Sequence, residues 1–134
     1  MPPRPWLHET TPGQIVPGDG SCLFHCITAQ LRLVPYYSTL HVAQLRSALA
    51  GFIMHNPSYL MDDGRQLGTW IWDAFQTNVN VYANRLRQWT YWAGEVEVPL
   101  LSIWSGIAID VYVRERFGYR LWAAYDGADP AMDL

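Results

Sequence analysis

The stretch Gly18-Asp19-Gly20-Ser21-Cys22-Leu23-Phe24-His25-Cys26 places a thiol directly behind a turn-forming run. Asp, Gly and Ser favour turns. Leu23, Phe24, Ile27, Ala29 and Leu31 then continue as an apolar helical pattern. Cys22 is therefore expected at the first turn of a helix. There the unpaired backbone N–H groups and the positive dipole end favour a thiolate. The same N–H groups can hold the oxyanion of a tetrahedral intermediate. Gly20 lets the backbone come close to a reacting carbonyl. The competing reading is a buried structural cysteine after a turn, because free Cys is among the most buried residue types.

A cysteine nucleophile needs an imidazole to take its proton and to protonate the leaving amine. The histidines are His8, His25, His41 and His55, and none follows His55. His25 lies three residues after Cys22 on the same expected helix and reads as a satisfied helix histidine. His41 and His55 mark the two ends of a second helix and read as cap or surface residues. His8 belongs to an N-terminal arm. Asp19 reads as a turn former whose side chain bonds nearby N–H groups.

Asp19-Gly20-Ser21-Cys22-Leu23-Phe24 resembles the nucleophile motif of the ovarian tumour (OTU) family of papain-like cysteine proteases, which are mostly deubiquitinases. The segment Trp92-Ala93-Gly94-Glu95-Val96-Glu97-Val98-Pro99-Leu100-Leu101-Ser102 is similar to that family's Trp-Gly-Gly-x-x-Glu-Leu-x-Ala-Leu-Ser block. An apolar strand pattern, Ile107 to Val113, follows it. Between the blocks, Leu45-Arg46 through Asn56-Pro57 and Tyr59 fits the family's second helix and its exit. The resemblance covers Gly18 to Leu134. It implies that Cys22 attacks a carbonyl after a ubiquitin or ubiquitin-like tail. It also implies an oxyanion hole at the Asp19, Gly20 and Cys22 backbone, and a ubiquitin or ubiquitin-like protein as partner.

The family's third block, His-aromatic-Asp/Asn, is where the sequence departs. After a strand candidate at Tyr119 to Tyr125 and a turn at Asp126-Gly127-Ala128-Asp129-Pro130 comes Ala131-Met132-Asp133-Leu134. In register, Ala131 stands at the position of the base and Asp133 at that of the residue that orients it. Three accounts of Ala131 stay open: a histidine deliberately replaced, a natural pseudoenzyme kept as an interaction or structural module, or a different register with the histidine elsewhere. The compact length resembles viral OTU-like domains inside larger polyproteins. With Ala131 at the base position, the chain as written is expected to be inactive.

The elements that position these residues follow from spacing. Residues 1 to 17 are a proline-rich arm, and residues 18 to 134 form a single domain. The first helix is expected over Cys22 to Leu33, ended by Val34-Pro35. Thr39 can cap a second helix, Leu40 to His55, with Val42, Leu45, Leu49, Phe52 and Ile53 on its apolar face. Asn56-Pro57 stops it, and Asp62-Asp63-Gly64 is a turn. Leu67 to Gln88 reads as partly helical. Glu95 to Trp104 forms a helix whose Glu95 and Glu97 suit its positive end, with Pro99 acceptable only in the first turn. Glu97 is expected to bond the backbone at that helix start, and Trp92 and Gly94 to be structural. Ile107–Val113 and Tyr119–Tyr125 are strands. Helices first and strands last give an α+β class, a small sheet packed between helices.

Composition limits the rest. With 134 residues, half of them hydrophobic and 16% charged, the chain can build its own core. A net charge of −3 argues against nucleic-acid binding. Arg114, Arg116 and Arg120 read as a solvated strand edge. A bridge between Cys22 and Cys26, four apart on one helix, is geometrically poor. Two cysteines with His25 complete no zinc site, so no metal or cofactor is expected. Reduced thiols point to an intracellular, cytoplasmic protein. The N-terminus lacks the apolar core of a signal peptide. Glu97, Pro99 and Asp110 interrupt Val96 to Val113, so no membrane span is expected.

Overall fold

A computed structural model describes residues 22–91, 93–94 and 96–127. Helix α1, Cys22–Leu31, begins at the expected cysteine and buries Phe24, Ile27 and Leu31. It stops two residues short of Leu33. The Leu33 and Val34 N–H groups reach back only three residues, to the Gln30 and Leu31 carbonyls, which tightens the end of the helix. Pro35 then opens a short 3-10 turn, Pro35–Tyr37. The Tyr37 ring lies 5.6 Å from that of Trp104.

Helix α2, Val42–His55, buries Leu45, Leu49 and Ile53 as the spacing predicts. Its cap is a correction. Thr39 does not serve, because His41 is the extended residue before the first turn. The His41 N–H donates to Gln44 Oε1 at 2.9 Å, and the Gln44 N–H donates to the His41 side chain. This is the reciprocal geometry of a capping box, built here on His and Gln. At the far end Asn56 closes the helix, its side-chain amide donating to the Phe52 carbonyl at 2.8 Å.

The stretch Leu67 to Gln88 is two helices, α3, Leu67–Phe75, and α4, Val79–Arg87. Gln76 takes a left-handed conformation at φ 56°, and Asn78 caps α4 by accepting from the Val81 N–H at 2.9 Å. The turn before α3 carries Gly64 at φ 85°, a conformation open to glycine at no steric cost.

Helix α5, Glu97–Ser105, starts two residues later than the expected Glu95, which lies outside the described residues. Pro99 falls at its third position, where a missing N–H removes no helical bond. Side chains of α1, α2, α4 and α5, among them Leu45, Leu49, Leu86, Leu100 and Leu101, form the core.

The strands are β1, Ile109–Glu115, and β2, Gly118–Tyr125, paired antiparallel. Strand β1 starts after Ile107 because Ile107 is held in the link from α5. Its carbonyl accepts from Ser102 Oγ at 2.8 Å, and its N–H donates to Ser105 Oγ. Among the described residues, five α-helices and one strand pair make an α+β arrangement. Among the described residues this sheet is not sandwiched between helices. Its base packs on α5, and most of β2 faces solvent, because two strands are too few to offer two covered faces.

Candidate active site

Cys22 is the first residue of α1. Its backbone N–H belongs to the opening turn, whose donors have no partner inside the helix. Asp19, Gly20, Ala131 and Asp133 lie outside the described residues.

Two residues into α1, the buried Phe24 ring lies under the Arg46 guanidinium, 4.4 Å from ring centroid to carbon. Arg46 extends from α2 and is 2% exposed. It donates to the Leu86 carbonyl at 2.9 Å and to the Tyr91 carbonyl at 2.9 Å. Its flat, multi-donor head can serve the end of α4 and the following loop at once. Sequence reasoning gave Arg46 no role. The signal was a charged residue inside the apolar run Leu45, Leu49, Ile53.

Tyr91 continues the connection. Its hydroxyl donates to Glu97 Oε1 at 2.7 Å, and Tyr82 donates to the same oxygen at 3.0 Å. Glu97 Oε2 accepts from the Gly94 N–H at 2.8 Å, so the expected backbone bond is present. Glu97 is buried, and three donors replace the water it gives up. Burial, then the neighbouring Glu97, pushes the Tyr82 hydroxyl far above the usual tyrosine range. Burial and the hydrogen bond to Glu97 raise Tyr91 likewise. Phe24, Arg46, Tyr91 and Glu97 thus link the start of α1 to the start of α5. Tyr82 and Tyr91 as the partners of Glu97 were not foreseen, since nothing local marks a tyrosine fifteen residues away.

His41 and His55 are engaged elsewhere. Arg32 Nη2 lies 3.2 Å from His41 Nδ1, and His55 Nδ1 lies 2.8 Å from the Gly51 carbonyl oxygen. These two stand at opposite ends of α2, about 20 Å apart at 1.5 Å per residue. His25 is partly buried within α1.

A cleft of about 490 Å³ opens between the Met61–Asp63 turn, Trp70 of α3, the Pro99–Ile103 side of α5 and the end of β2. Asp62, Asp63 and Asp126 line it. Arg65 bonds Asp63 at 2.6 Å and holds its carboxyl below the usual range. Among the described residues no helix is long and apolar enough to cross a membrane, and no group of three His, Cys, Asp or Glu is placed to hold a metal ion.

Comparisons with family models, with curated proteins and with solved structures give no match.

Proposed function

We propose that this chain is an OTU-like, papain-type cysteine protease domain directed at the (iso)peptide bond after a ubiquitin or ubiquitin-like tail. Cys22 is the nucleophile, and the Asp19–Cys22 backbone is the oxyanion hole. The thiolate sulfur attacks the carbonyl carbon. The carbonyl oxygen takes up the negative charge, and the C–N bond breaks as the leaving amine receives a proton. That proton comes from an imidazole in the family. At Ala131 there is none, so the chain as written holds a tail without turning it over. It acts inside cells, in the host cytoplasm if its source is a virus or an effector.

The observation that carries this reading is the Phe24–Arg46–Tyr91–Glu97 linkage. The resemblance rests on two sequence blocks about seventy residues apart. In the fold those blocks are joined in two steps, Arg46 from Phe24 to the Tyr91 carbonyl and the Tyr91 hydroxyl to Glu97, and Cys22 opens the helix so anchored. Ala131 also favours a second reading, a non-catalytic module of the same fold that serves a larger protein as a binding or structural part.

The test is Ala131→His with a fluorogenic conjugate of the ubiquitin C-terminus. Losing one member of a catalytic unit costs on the order of 10⁴ to 10⁶ in rate, so a restored base is easily seen. The expected result is turnover that Cys22→Ala abolishes and Asp133→Ala weakens. A folded Ala131→His variant with no Cys22-dependent turnover on any ubiquitin-like substrate makes the module the better reading. Calorimetry on the unaltered chain tests the partner, with micromolar affinity for ubiquitin, about −8 kcal/mol, as the expectation.

A further inference from the structure

The hairpin and the cleft are chemically matched, and neither belongs to the nucleophile. Opposite residues of an antiparallel pair share a face, and successive residues alternate. The register sets Tyr112 opposite Leu121, Arg114 opposite Tyr119 and Asp110 opposite Ala124, so these six positions share one face. Tyr112, Tyr119 and Leu121 are exposed on it, and Ala124 lines the cleft. A bulge at Trp122, which has no register partner, turns that side chain to the other face beside Arg120. Exposed apolar side chains grouped on one face beside charged positions mark an interaction surface.

The two ends of this face differ in sign. At the tip, Phe117 is 92% exposed, with the Arg116 guanidinium 5.3 Å from its ring. At the base, the cleft has apolar walls of Met61, Trp70 and Ile103 and a rim with Asp62, Asp63 and Asp126, of which Asp63 is paired with Arg65. An aromatic ring beside a cation fits an apolar cleft rimmed by carboxylates. The tip cannot reach the cleft of its own molecule. Gly118 and Ala124 lie six residue steps apart along β2, about 20 Å of extended strand.

We propose that two copies of this chain pair through this face, hairpins antiparallel, with each Arg116-Phe117 tip seated in the other's cleft. A two-fold arrangement uses both matched ends at once and covers Tyr112, Tyr119 and Leu121 between the copies. Such self-complementary contacts are the commonest form of homo-oligomer.

Light scattering and sedimentation on the chain across a micromolar concentration series test this. The expected species is a dimer in exchange with monomer, weakened by salt because part of the attraction is between exposed charges. Phe117→Ser should weaken dimerisation about tenfold or more without altering the circular dichroism spectrum. Arg116→Asp alone and Asp62→Lys alone should each weaken it, because each homodimer then sets like charges together twice. An equimolar mixture of those two variants should dimerise as the unaltered chain does, since both ends of the mixed pair are again opposite in charge. A chain that stays monomeric throughout, an assembly that grows past two, or folded charge variants whose mixture shows no recovery overturns the proposal.

Discussion

The Arg46 guanidinium lies 4.4 Å from the centre of the Phe24 ring and bonds the Leu86 and Tyr91 carbonyls from the same head. One buried cation therefore fixes α1, the end of α4 and the loop into α5. Replacing it with methionine keeps the stem but leaves the Leu86, Trp89 and Tyr91 carbonyls without this donor. Hydrogen bonds to charged groups contribute about 1.5–3 kcal/mol each, so Arg46→Met should lower stability by about 3 kcal/mol. Arg46→Lys should fall between, since one ammonium cannot span these carbonyls in the same geometry. Urea midpoints check both. Equal midpoints for Arg46→Met and the parent chain refute the anchoring role.

Glu97 concentrates a second dependence. Glu97→Ala strands the Tyr82 and Tyr91 hydroxyls and the Gly94 N–H near the core. Each buried polar group left unsatisfied costs about 1–3 kcal/mol, so this variant should be among the most destabilised in the chain. Tyr82→Phe removes one donor and leaves the carboxylate two. It should cost about 1 kcal/mol. A thermal melt of each variant decides the order, and a Tyr82→Phe loss as large as that of Glu97→Ala contradicts it.

The same pair of hydroxyls gives a pH dependence. Both tyrosines ionise above their ordinary value, chiefly through burial. The folded state thus holds the neutral form more strongly than the unfolded chain does. That contribution is fully present below the unfolded tyrosine value, about pH 10, and is lost as pH rises past it. All nine Lys and Arg residues are arginine, so no lysine titrates in this window. Urea unfolding from pH 8 to 11 should show a fall in stability above about pH 10 from these tyrosines. Tyr82→Phe should make that fall shallower.

The legible parts of this chain were those where local chemistry and tertiary demand agree. The start of α1 at Cys22 and the Glu97 backbone bond follow from helix-end rules, whereas Pro99 reaches the first turn only because α5 starts at Glu97 and not at the expected Glu95. The rest depended on partners distant in sequence. Trp70, Ile71, Phe75, Val79, Tyr82 and Leu86 keep roughly helical spacing across Gln76–Asn78, so the apolar pattern hid a break made by one left-handed residue and one cap. Thr39 is the better capping residue by type, yet His41 caps because Gln44 lies three residues on to answer it. Arg46 and Tyr91 are tied across forty-five positions, which no local pattern announces. The base and oxyanion positions, Ala131, Asp133, Asp19 and Gly20, rest on resemblance alone.

Gly127 offers a steric check on how the end of β2 is seated. Its φ is 84°, and a Cβ placed there would come within 3.0 Å of the Gly106 carbonyl carbon and oxygen. Backbone cannot swing aside as a side chain can, so Gly127→Ala must displace the strand end from the α5 terminus. The expected cost is about 1–3 kcal/mol for the strained backbone, with the packing loss added. Gly94→Ala meets nothing within 4 Å and serves as the control. Similar melting temperatures for both variants refute the close approach.

The two thiols test the nucleophile directly. Cys22 opens α1, where the positive helix end favours the thiolate. Cys26 lies one turn further along and is partly buried, so it lacks that field. Brief treatment with iodoacetamide followed by peptide mapping should find Cys22 modified first. Lowering the pH should slow Cys22 less than it slows a free cysteine, because a depressed thiol value keeps the reactive anion populated. The unaltered chain suffices for this measurement, since thiolate formation at a helix end needs no histidine. Faster labelling of Cys26, or a Cys22 profile identical to free cysteine, removes the chemical basis for a nucleophile at this position.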